Sequence, residues 1–228
     1  MTLLRSILAV DDDFRIRLGS LDPAHIGSGL IALMAAEQRL CPHLHVSMQS
    51  GHTLILKRMK RRYDRDGLYR AVLGARERID DLVVGADVMA GFPTEDEEHF
   101  EATRRAIVDL DVAFPHVFPY SPRPGTPAAR IPRQVHARTR QERAAALREA
   151  GREVLQRTLD RFRGRYADML VEGTDGDGSL ARGRLANYLP ATAVMPGADE
   201  ARGQWRRISI SGNDGASLHG ESAQVTLK

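Results

Sequence analysis

Residues 81–92 read DLVVGADVMAGF, and this stretch is the most informative one for the fold. Asp87 is the only charged residue within the apolar run 83–92. Continuous apolar runs suit parallel strands, because helices cover both faces of such a sheet. We therefore predict a buried parallel strand, in which the Asp87 carboxylate needs a polar partner or a ligand. A structural hydrogen bond to a nearby loop would explain Asp87 equally well.

The pattern around this strand predicts alternating strands and helices. Strands are expected at 14–21, 42–49 and 112–118, and helices at 3–10, 25–39, 53–59, 66–79 and 94–110. Thr94 is expected to cap the last of these helices, with Glu97 completing a capping box. Short connections between alternating elements favour a parallel sheet with crossover helices. Four strands are too few to close a barrel.

The carboxyl-terminal third of the sequence has a different character. A long Arg-rich helix is predicted at 139–163, and after Gly164 glycine becomes frequent and helical periodicity disappears. Short β-like runs follow at 166–172, 179–185 and 204–211, separated by turn residues. We predict three segments: an α/β region at 1–138, a connecting helix at 139–163 and a small all-β module at 164–228.

Composition narrows the classes of function. The 33 basic residues include only three lysines, which leaves 30 arginines. Arginine suits phosphate contacts, although a GC-rich genome would also produce this bias. No run of about 18 apolar residues predicts a membrane span, and we expect a cytoplasmic protein. Cys41 is the only cysteine, so neither an intrachain disulfide nor a cysteine metal cluster is expected.

Candidate functional residues follow the predicted strands, because parallel α/β folds place their sites at the carboxyl ends of strands. Alternation along 42–49 puts His43, His45, Ser47 and Gln49 on one face, which we interpret as facing a wet or liganded lumen. An edge strand with one solvated face is the alternative. No carboxylate or third histidine lies near His43 and His45 in sequence, so no metal site is predicted.

Two further segments favour contact with nucleic acid. Residues 57–62, KRMKRR, contain five positive charges, which suit either a solvated helix face or phosphate binding. Residues 116–127, HVFPYSPRPGTP, contain four prolines, which predict a stiff, extended loop that fixes the directions of Tyr120 and Arg123. A rigid linker is the alternative for this loop. The predicted RNA-contacting residues of the basic segment are Lys57, Arg58, Lys60, Arg61 and Arg62.

Three blocks of sequence together resemble one known family. They are LCPHLHVSMQSGHTLILKRMKRRY at 40–63, GADVMAGFPTEDEEHFEAT at 85–103 and HVFPYSPRPGTPAAR at 116–130. They resemble the later half of the radical S-adenosylmethionine (SAM) methylthiotransferases, above all the branch that modifies threonylcarbamoyladenosine in tRNA. The resemblance implies an α/β fold: part of a parallel (βα) barrel, followed by a small all-β, RNA-binding module like a TRAM domain.

The resemblance also implies ligands and a partner. The family binds SAM and a [4Fe–4S] cluster at the carboxyl-end face of its barrel, and its substrate is tRNA. Tyr120 and Arg123 would stack on or hydrogen-bond the adenosine. The residues that the resemblance places near the cofactor are Ser20, Gln49, Ser50 and Asp87.

The sequence departs from the family in its cysteines. The family holds its cluster with a C-x-x-x-C-x-x-C loop, and a further amino-terminal domain carries three more cysteines, whereas this sequence has only Cys41. We therefore interpret the chain as a truncated family member that holds no cluster by itself and is inactive without a missing amino-terminal half. A non-catalytic RNA-binding remnant and a pseudogene product are the alternatives.

Overall fold

Four parallel strands form the sheet of the amino-terminal unit. The computed structural model describes residues 1–12, 14–175 and 177–223, and the chain divides into two units, Met1–Val154 and Leu155–Lys228. The strands are β1 (Ile16–Leu21), β2 (Leu40–Gln49), β3 (Val83–Ala90) and β4 (Val112–Pro119). They lie in the order β1-β2-β3-β4, and all neighbours are parallel. The predicted parallel sheet is confirmed.

Helices connect these strands as the sequence pattern predicts. They are α1 (Thr2–Leu8), α2 (Ser28–Ala36), α3 (Thr53–Arg58), α4 (Arg65–Arg76), α5 (Glu97–Asp109) and α6 (Ala137–Asp160). Helix α2 is shorter than predicted at both ends. It begins late because Pro23–His25 forms a separate 3-10 turn that the Asp22 side chain caps, and it ends at Ala36, where Glu37 is extended. None of the helices in the described ranges combines the length and the apolar composition that a membrane crossing requires.

The predicted start of helix α5 is wrong. Its N-cap is Asp96, whose carboxylate accepts a hydrogen bond from the His99 amide, while the His99 ring accepts one from the Asp96 amide. Thr94 has a φ of 70° and therefore cannot begin a helix. The buried Glu95 side chain turns back to the Gly91 amide, and this turn delays the helix by two residues.

The interior of the sheet is strongly apolar. Leu44, Met48 and Val88 are fully buried on β2 and β3. Strand β2 lies between β1 and β3, so the alternative of an edge strand for residues 42–49 is wrong. His43 and His45 are themselves buried, with exposed fractions of 1% and 8%.

Five strands form a closed barrel in the carboxyl-terminal unit. They are β5 (Tyr166–Thr174), β6 (Leu180–Leu185), β7 (Pro190–Val194), β8 (Trp205–Asn213) and β9 (Leu218–Ser222), in the order β5-β6-β7-β9-β8. Strand β8 also pairs with β5, which closes the ring. A Cβ at Gly183 would lie 1.8 Å from the Leu170 carbonyl oxygen, so only glycine permits this close approach of strands.

The barrel corrects and extends the predicted β-runs. Strands β5, β6 and β8 lie at the three segments that the sequence predicts, whereas β7 and β9 were missed. The sequences PATAV and LHGES contain few of the β-branched and aromatic residues that mark strands. The division between the two units falls inside α6, and the predicted boundary at Gly164 lies beyond the end of that helix.

Candidate functional site

A polar cluster joins all four strands of the parallel sheet around Asp87. Its Oδ1 lies 3.0 Å from His45 Nε2 and 3.7 Å from His116 Nδ1, and its Oδ2 accepts a hydrogen bond of 3.2 Å from the Ser20 hydroxyl. The rings of His45 and His116 are 4.8 Å apart. We call Ser20, His45, Asp87 and His116 the Asp87 cluster. It brings together two of the residues that the sequence placed near a cofactor, Ser20 and Asp87.

Strand register and one glycine produce this cluster. Asp87 pairs with His116 across β3 and β4, and His45 pairs with Gly85 across β2 and β3. A Cβ at Gly85 would lie 2.9 Å from His45 Nδ1. The glycine therefore leaves room for the imidazole to reach Asp87. The partner that the sequence required for Asp87 comes from neighbouring strands and not from a loop.

The cluster has the donor set of a transition-metal site. The ligand atoms of His45, Asp87 and His116 all lie within 4.8 Å of one another. Two imidazoles and one carboxylate are ligands that Zn²⁺ and Fe²⁺ accept. The three residues are far apart in the sequence, because the carboxylate and the second histidine come from β3 and β4. The sequence pattern therefore did not predict this ligand set. His43, which lies two residues before His45 in β2, is not one of these three ligands.

The chain does not supply the ligands of an iron–sulfur cluster. Such clusters are held by several cysteine thiolates, and the sequence contains one cysteine. Cys41 lies near the beginning of β2, away from the carboxyl end of the sheet. Burial raises the pKa of its thiol, which disfavours the thiolate that a metal requires. The residues present therefore do not fit this group.

Gln49 and Ser50 take no part in the contacts of the Asp87 cluster that the structure describes. The Ser50 side chain is fully buried, and its Oγ lies 3.2 Å from Thr103 Oγ1 on α5 and accepts a hydrogen bond from the His52 amide. Gln49 has a φ of 59° and faces a cavity at the end of the sheet. The structure therefore brings Ser20 and Asp87 together but directs Ser50 towards α5.

A cavity of about 630 Å³ lies where β2, β3 and β4 end. Apolar and aromatic side chains form much of its wall, including Met59, Met89, Phe92 and Phe118. Among the residues that the structure describes, no acidic one lines it. We call it the basic cavity, because four cationic side chains line it: Arg58, Lys60, Arg61 and Arg123. With Tyr120, these account for five of the seven predicted RNA-contacting residues, whereas Lys57 and Arg62 lie outside its lining.

The proline loop is anchored to the wall of this cavity. The Tyr120 amide donates to the Ala90 carbonyl at 2.8 Å, and Arg140 Nη1 donates to the Tyr120 carbonyl at 2.6 Å. The Tyr120 ring packs edge-on against Phe92, with centroids 5.3 Å apart, and both contact Ile55. Tyr120 is 8% exposed, and its hydroxyl has no hydrogen-bond partner among the described residues.

A buried ion pair fixes the turn after β3, and sequence reasoning missed it. Glu95 accepts a hydrogen bond from the Gly91 amide at 2.8 Å and another from Arg143 Nη1 at 3.0 Å. Burial raises the pKa of Glu95, and these two donors oppose that rise. Nothing in the acidic run TEDEE separates Glu95 from its exposed neighbours, so its burial was not visible in the sequence.

Curated relatives of the chain modify tRNA. No family model matches the chain. A threonylcarbamoyladenosine tRNA methylthiotransferase of Rickettsia prowazekii is 44% identical over 71% of the chain and 38% of its own length. The corresponding enzyme of Treponema pallidum is 36% identical over 95% of the chain and 44% of its own length. The tRNA-2-methylthio-N6-dimethylallyladenosine synthase of Clostridium novyi is 31% identical over 96% of the chain and 48% of its own length.

The chain is homologous to the tRNA methylthiotransferases. It spans less than half the length of each of these three relatives, which fits a resemblance to their carboxyl-terminal portion. Among solved structures, it resembles coproporphyrinogen III oxidase of Escherichia coli, a radical SAM enzyme, with a TM-score of 0.51. This match has 17% sequence identity and covers 95% of the chain and 53% of that enzyme, so it supports the fold alone. The resemblance to radical SAM methylthiotransferases is confirmed.

Proposed function

We propose that the chain is the tRNA-recognising, carboxyl-terminal part of a radical SAM methylthiotransferase that acts on N6-threonylcarbamoyladenosine. The observation that carries this proposal is the basic cavity, in which the described lining combines an apolar wall with four cations and includes no acidic residue. Nucleic-acid sites combine the same two features, since bases stack on aromatic rings and phosphates bind cations. Two of the relatives act on this nucleoside in tRNA.

In this proposal the cavity receives the adenine base of an unstacked nucleotide. Phe118 is 53% exposed and offers an accessible aromatic ring beside the more deeply buried Tyr120. The prolines of the loop and the hydrogen bonds of Tyr120 hold this wall in position before RNA binds. The exposed Lys57 and Arg62, which lie outside the cavity, contact the phosphates on either side.

The family's cofactors belong at the same edge of the sheet in this proposal. SAM is the family's source of radical chemistry. Ser20 and Gln49 lie at the carboxyl ends of β1 and β2, where it would bind, and Asp87 lies within β3, before its end at Ala90. Ser50 supports this edge by its contact with α5. The thiolates for a cluster must come from protein outside this sequence, since one cysteine does not suffice. We further propose that β5–β9 form a TRAM-like RNA-binding barrel and that the protein acts in the cytoplasm on tRNA.

The test measures binding of the chain to an anticodon stem-loop RNA that carries threonylcarbamoyladenosine. Fluorescence anisotropy reports the affinity at a series of salt concentrations. We expect binding that weakens with salt, with a log–log slope of about −0.7 for each phosphate neutralised in a single-stranded segment. Replacing Lys57 or Arg62 with glutamine should make that slope shallower. Affinity that is equal at 50 and 200 mM salt, or equal for an unrelated hairpin, would contradict the proposal.

A non-catalytic RNA-binding remnant is the second candidate, because the same cavity would bind RNA without performing chemistry. The two candidates differ in one experiment. The amino-terminal half of a related enzyme, with its reconstituted clusters, is added to the chain, and methylthiolated nucleoside is measured by mass spectrometry. Product above that of either part alone supports the enzyme, whereas RNA binding without product supports the remnant.

A further inference from the structure

We infer that Arg61 and Arg123 bind the carboxylate of an amino-acid substituent on N6 of the adenosine and thereby select threonylcarbamoyladenosine over adenosines with apolar substituents. This inference rests on the proposed function and adds the chemical basis of substrate choice. A threonylcarbamoyl group carries a carboxylate, whereas the dimethylallyl group in the name of the other relatives is a hydrocarbon. A protein that discriminates between these substituents needs a cationic pocket to bind the carboxylate or an apolar pocket to bind the hydrocarbon.

The charges of the basic cavity favour the anionic substituent. Within the described part of the chain, no carboxylate forms an ion pair with Lys60, Arg61 or Arg123, and none lines the cavity. Elsewhere in the same unit arginines such as Arg76 and Arg143 have acidic partners. Arg61 is half-buried, and no carboxylate neutralises its charge among the described residues. Such a cation is stabilised when an anionic ligand binds.

Arginine suits a carboxylate better than lysine does. Its planar guanidinium donates two parallel hydrogen bonds to the two oxygens of a carboxylate, which gives both energy and orientation. Arg61 follows α3 and Arg123 lies in the proline loop, so the two approach the cavity from different segments of the chain. Arg58, the remaining arginine, donates to the Thr94 hydroxyl, which holds it at the wall.

Tyr120 provides the second, independent observation. Its side chain lines the cavity and is more than nine-tenths buried, yet its hydroxyl lacks a hydrogen-bond partner in the described structure. Buried hydroxyls normally have partners, because an unsatisfied one loses its hydration without compensation. Because the hydroxyl oxygen is itself buried, a carbamoyl or carboxylate oxygen of the substituent would accept this hydrogen bond once the neighbouring wall of the cavity shifts to admit it. A dimethylallyl group offers no acceptor and would leave the hydroxyl without a partner and the two arginines without a counter-ion.

The test uses one stem-loop sequence in four forms: with threonylcarbamoyladenosine, its methyl ester, dimethylallyladenosine and unmodified adenosine. The ester keeps the size of the substituent but removes its charge. The wild-type chain should bind the acid about tenfold more tightly than the ester, since hydrogen bonds to charged groups are the stronger ones. Arg61→Gln and Arg123→Gln should each reduce this ratio towards one, and Tyr120→Phe should reduce it less.

Matched controls lie outside the cavity. Lys57→Gln and Arg62→Gln remove a charge of the same sign nearby, and each should weaken binding of all four RNAs equally while leaving the ratio of acid to ester unchanged. A wild-type ratio below about two, or a ratio that Lys57→Gln lowers as much as Arg123→Gln does, would overturn the inference.

A second measurement separates this inference from the proposed function. The free nucleoside and its methyl ester are titrated into the chain by calorimetry, so that RNA binding is not required. If the RNAs do not bind but the acid nucleoside binds more tightly than the ester, the inference stands and the proposed function fails. If the RNAs bind and neither measurement prefers the acid, the proposed function stands and the inference is overturned.

Discussion

Two buried tyrosines in the amino-terminal unit differ in one respect. Tyr63 and Tyr120 have similar exposed fractions, 7% and 8%. The Tyr63 hydroxyl donates to the Ser47 carbonyl of β2, whereas the Tyr120 hydroxyl has no partner among the described residues and lines the basic cavity. A folded chain satisfies most of its buried polar groups. We therefore interpret Tyr120, whose side chain also lines a cavity, as part of a surface that a ligand completes, and Tyr63 as a residue that maintains the fold.

The charged residues of this unit differ in the same respect: some have partners within the protein and others line the basic cavity. Asp87 and Glu95 have partners within the protein, whereas Arg61 and Arg123 line a cavity that has no acidic residue in its described wall. Substitutions in the first group should lower the free energy of unfolding. Substitutions in the second group should change ligand affinity and leave the free energy of unfolding nearly constant.

The largest expected loss of stability comes from Arg143→Met. This change leaves the Glu95 carboxylate buried without its cation, which should cost about 3–5 kcal/mol of unfolding free energy, measured by urea denaturation at pH 7. Burial raises the pKa of Glu95, so its ionised form is the costly one in the folded state. The deficit of the variant should therefore shrink as pH falls below the folded-state pKa and the carboxyl becomes protonated.

The control for this prediction is Arg104→Met, which breaks an exposed pair with Glu101 on α5. Exposed pairs contribute little, so the loss should be no more than about 0.5 kcal/mol. Equal losses in the two variants would show that burial of the Glu95–Arg143 pair has no special role in stability.

A smaller loss is expected for Asp87→Asn. The amide keeps the shape of the carboxylate but removes its charge and one acceptor, which weakens the contacts with His45 and Ser20. We expect a loss of about 1–3 kcal/mol in urea denaturation, because the buried His45 keeps a poorer partner. Asp80→Asn, at an exposed position, is the control and should be nearly neutral. If Asp87→Asn were as stable as that control, the contacts of Asp87 would not contribute to the free energy of unfolding. The Asp87 cluster would then belong with the residues that await a ligand.

Tyr63→Phe should cost about 1 kcal/mol at neutral pH through its lost hydrogen bond. Burial raises the pKa of Tyr63 above its usual value. The contribution of this residue is therefore fully present below the unfolded-state pKa of about 10 and is lost as pH rises towards the folded-state pKa. Wild-type stability should fall more steeply above pH 10 than that of Tyr63→Phe, in urea titrations at several alkaline pH values. Tyr166→Phe, at an exposed ring, should leave that pH dependence unchanged.

The sequence predicted those features that depend on local pattern. The apolar run around Asp87 is the third strand, β3, and the last residue of β2 and the loop after β4 border a cavity. The cationic segment KRMKRR lies partly in the wall of that cavity, because α3 directly follows the end of β2. Local spacing was sufficient for each of these conclusions.

Features that depend on contacts between residues far apart in the sequence could not be predicted from local patterns. The partners of Asp87 come from three other strands, and only the register of the sheet brings them together. Helix α5 begins at a later residue than its sequence signal, because Glu95 is drawn into a buried pair with an arginine of α6. Ser50 faces α5 because the chain turns at Gly51, where a Cβ would lie 2.4 Å from the Ala102 carbonyl oxygen.

The smallest expected effect on stability is that of Tyr120→Phe, and it tests the contrast between the two tyrosines directly. The change removes the hydroxyl that has no partner and keeps the ring that packs against Phe92 and Ile55. No hydrogen bond is lost and a buried polar atom disappears, so the free energy of unfolding should stay within about 0.5 kcal/mol of the wild-type value or rise. Urea denaturation beside Tyr63→Phe measures this difference under identical conditions. A loss as large as that of Tyr63→Phe would mean that the Tyr120 hydroxyl already has a partner in the folded protein, and the cavity would then lose its unsatisfied donor as a reason to bind a ligand.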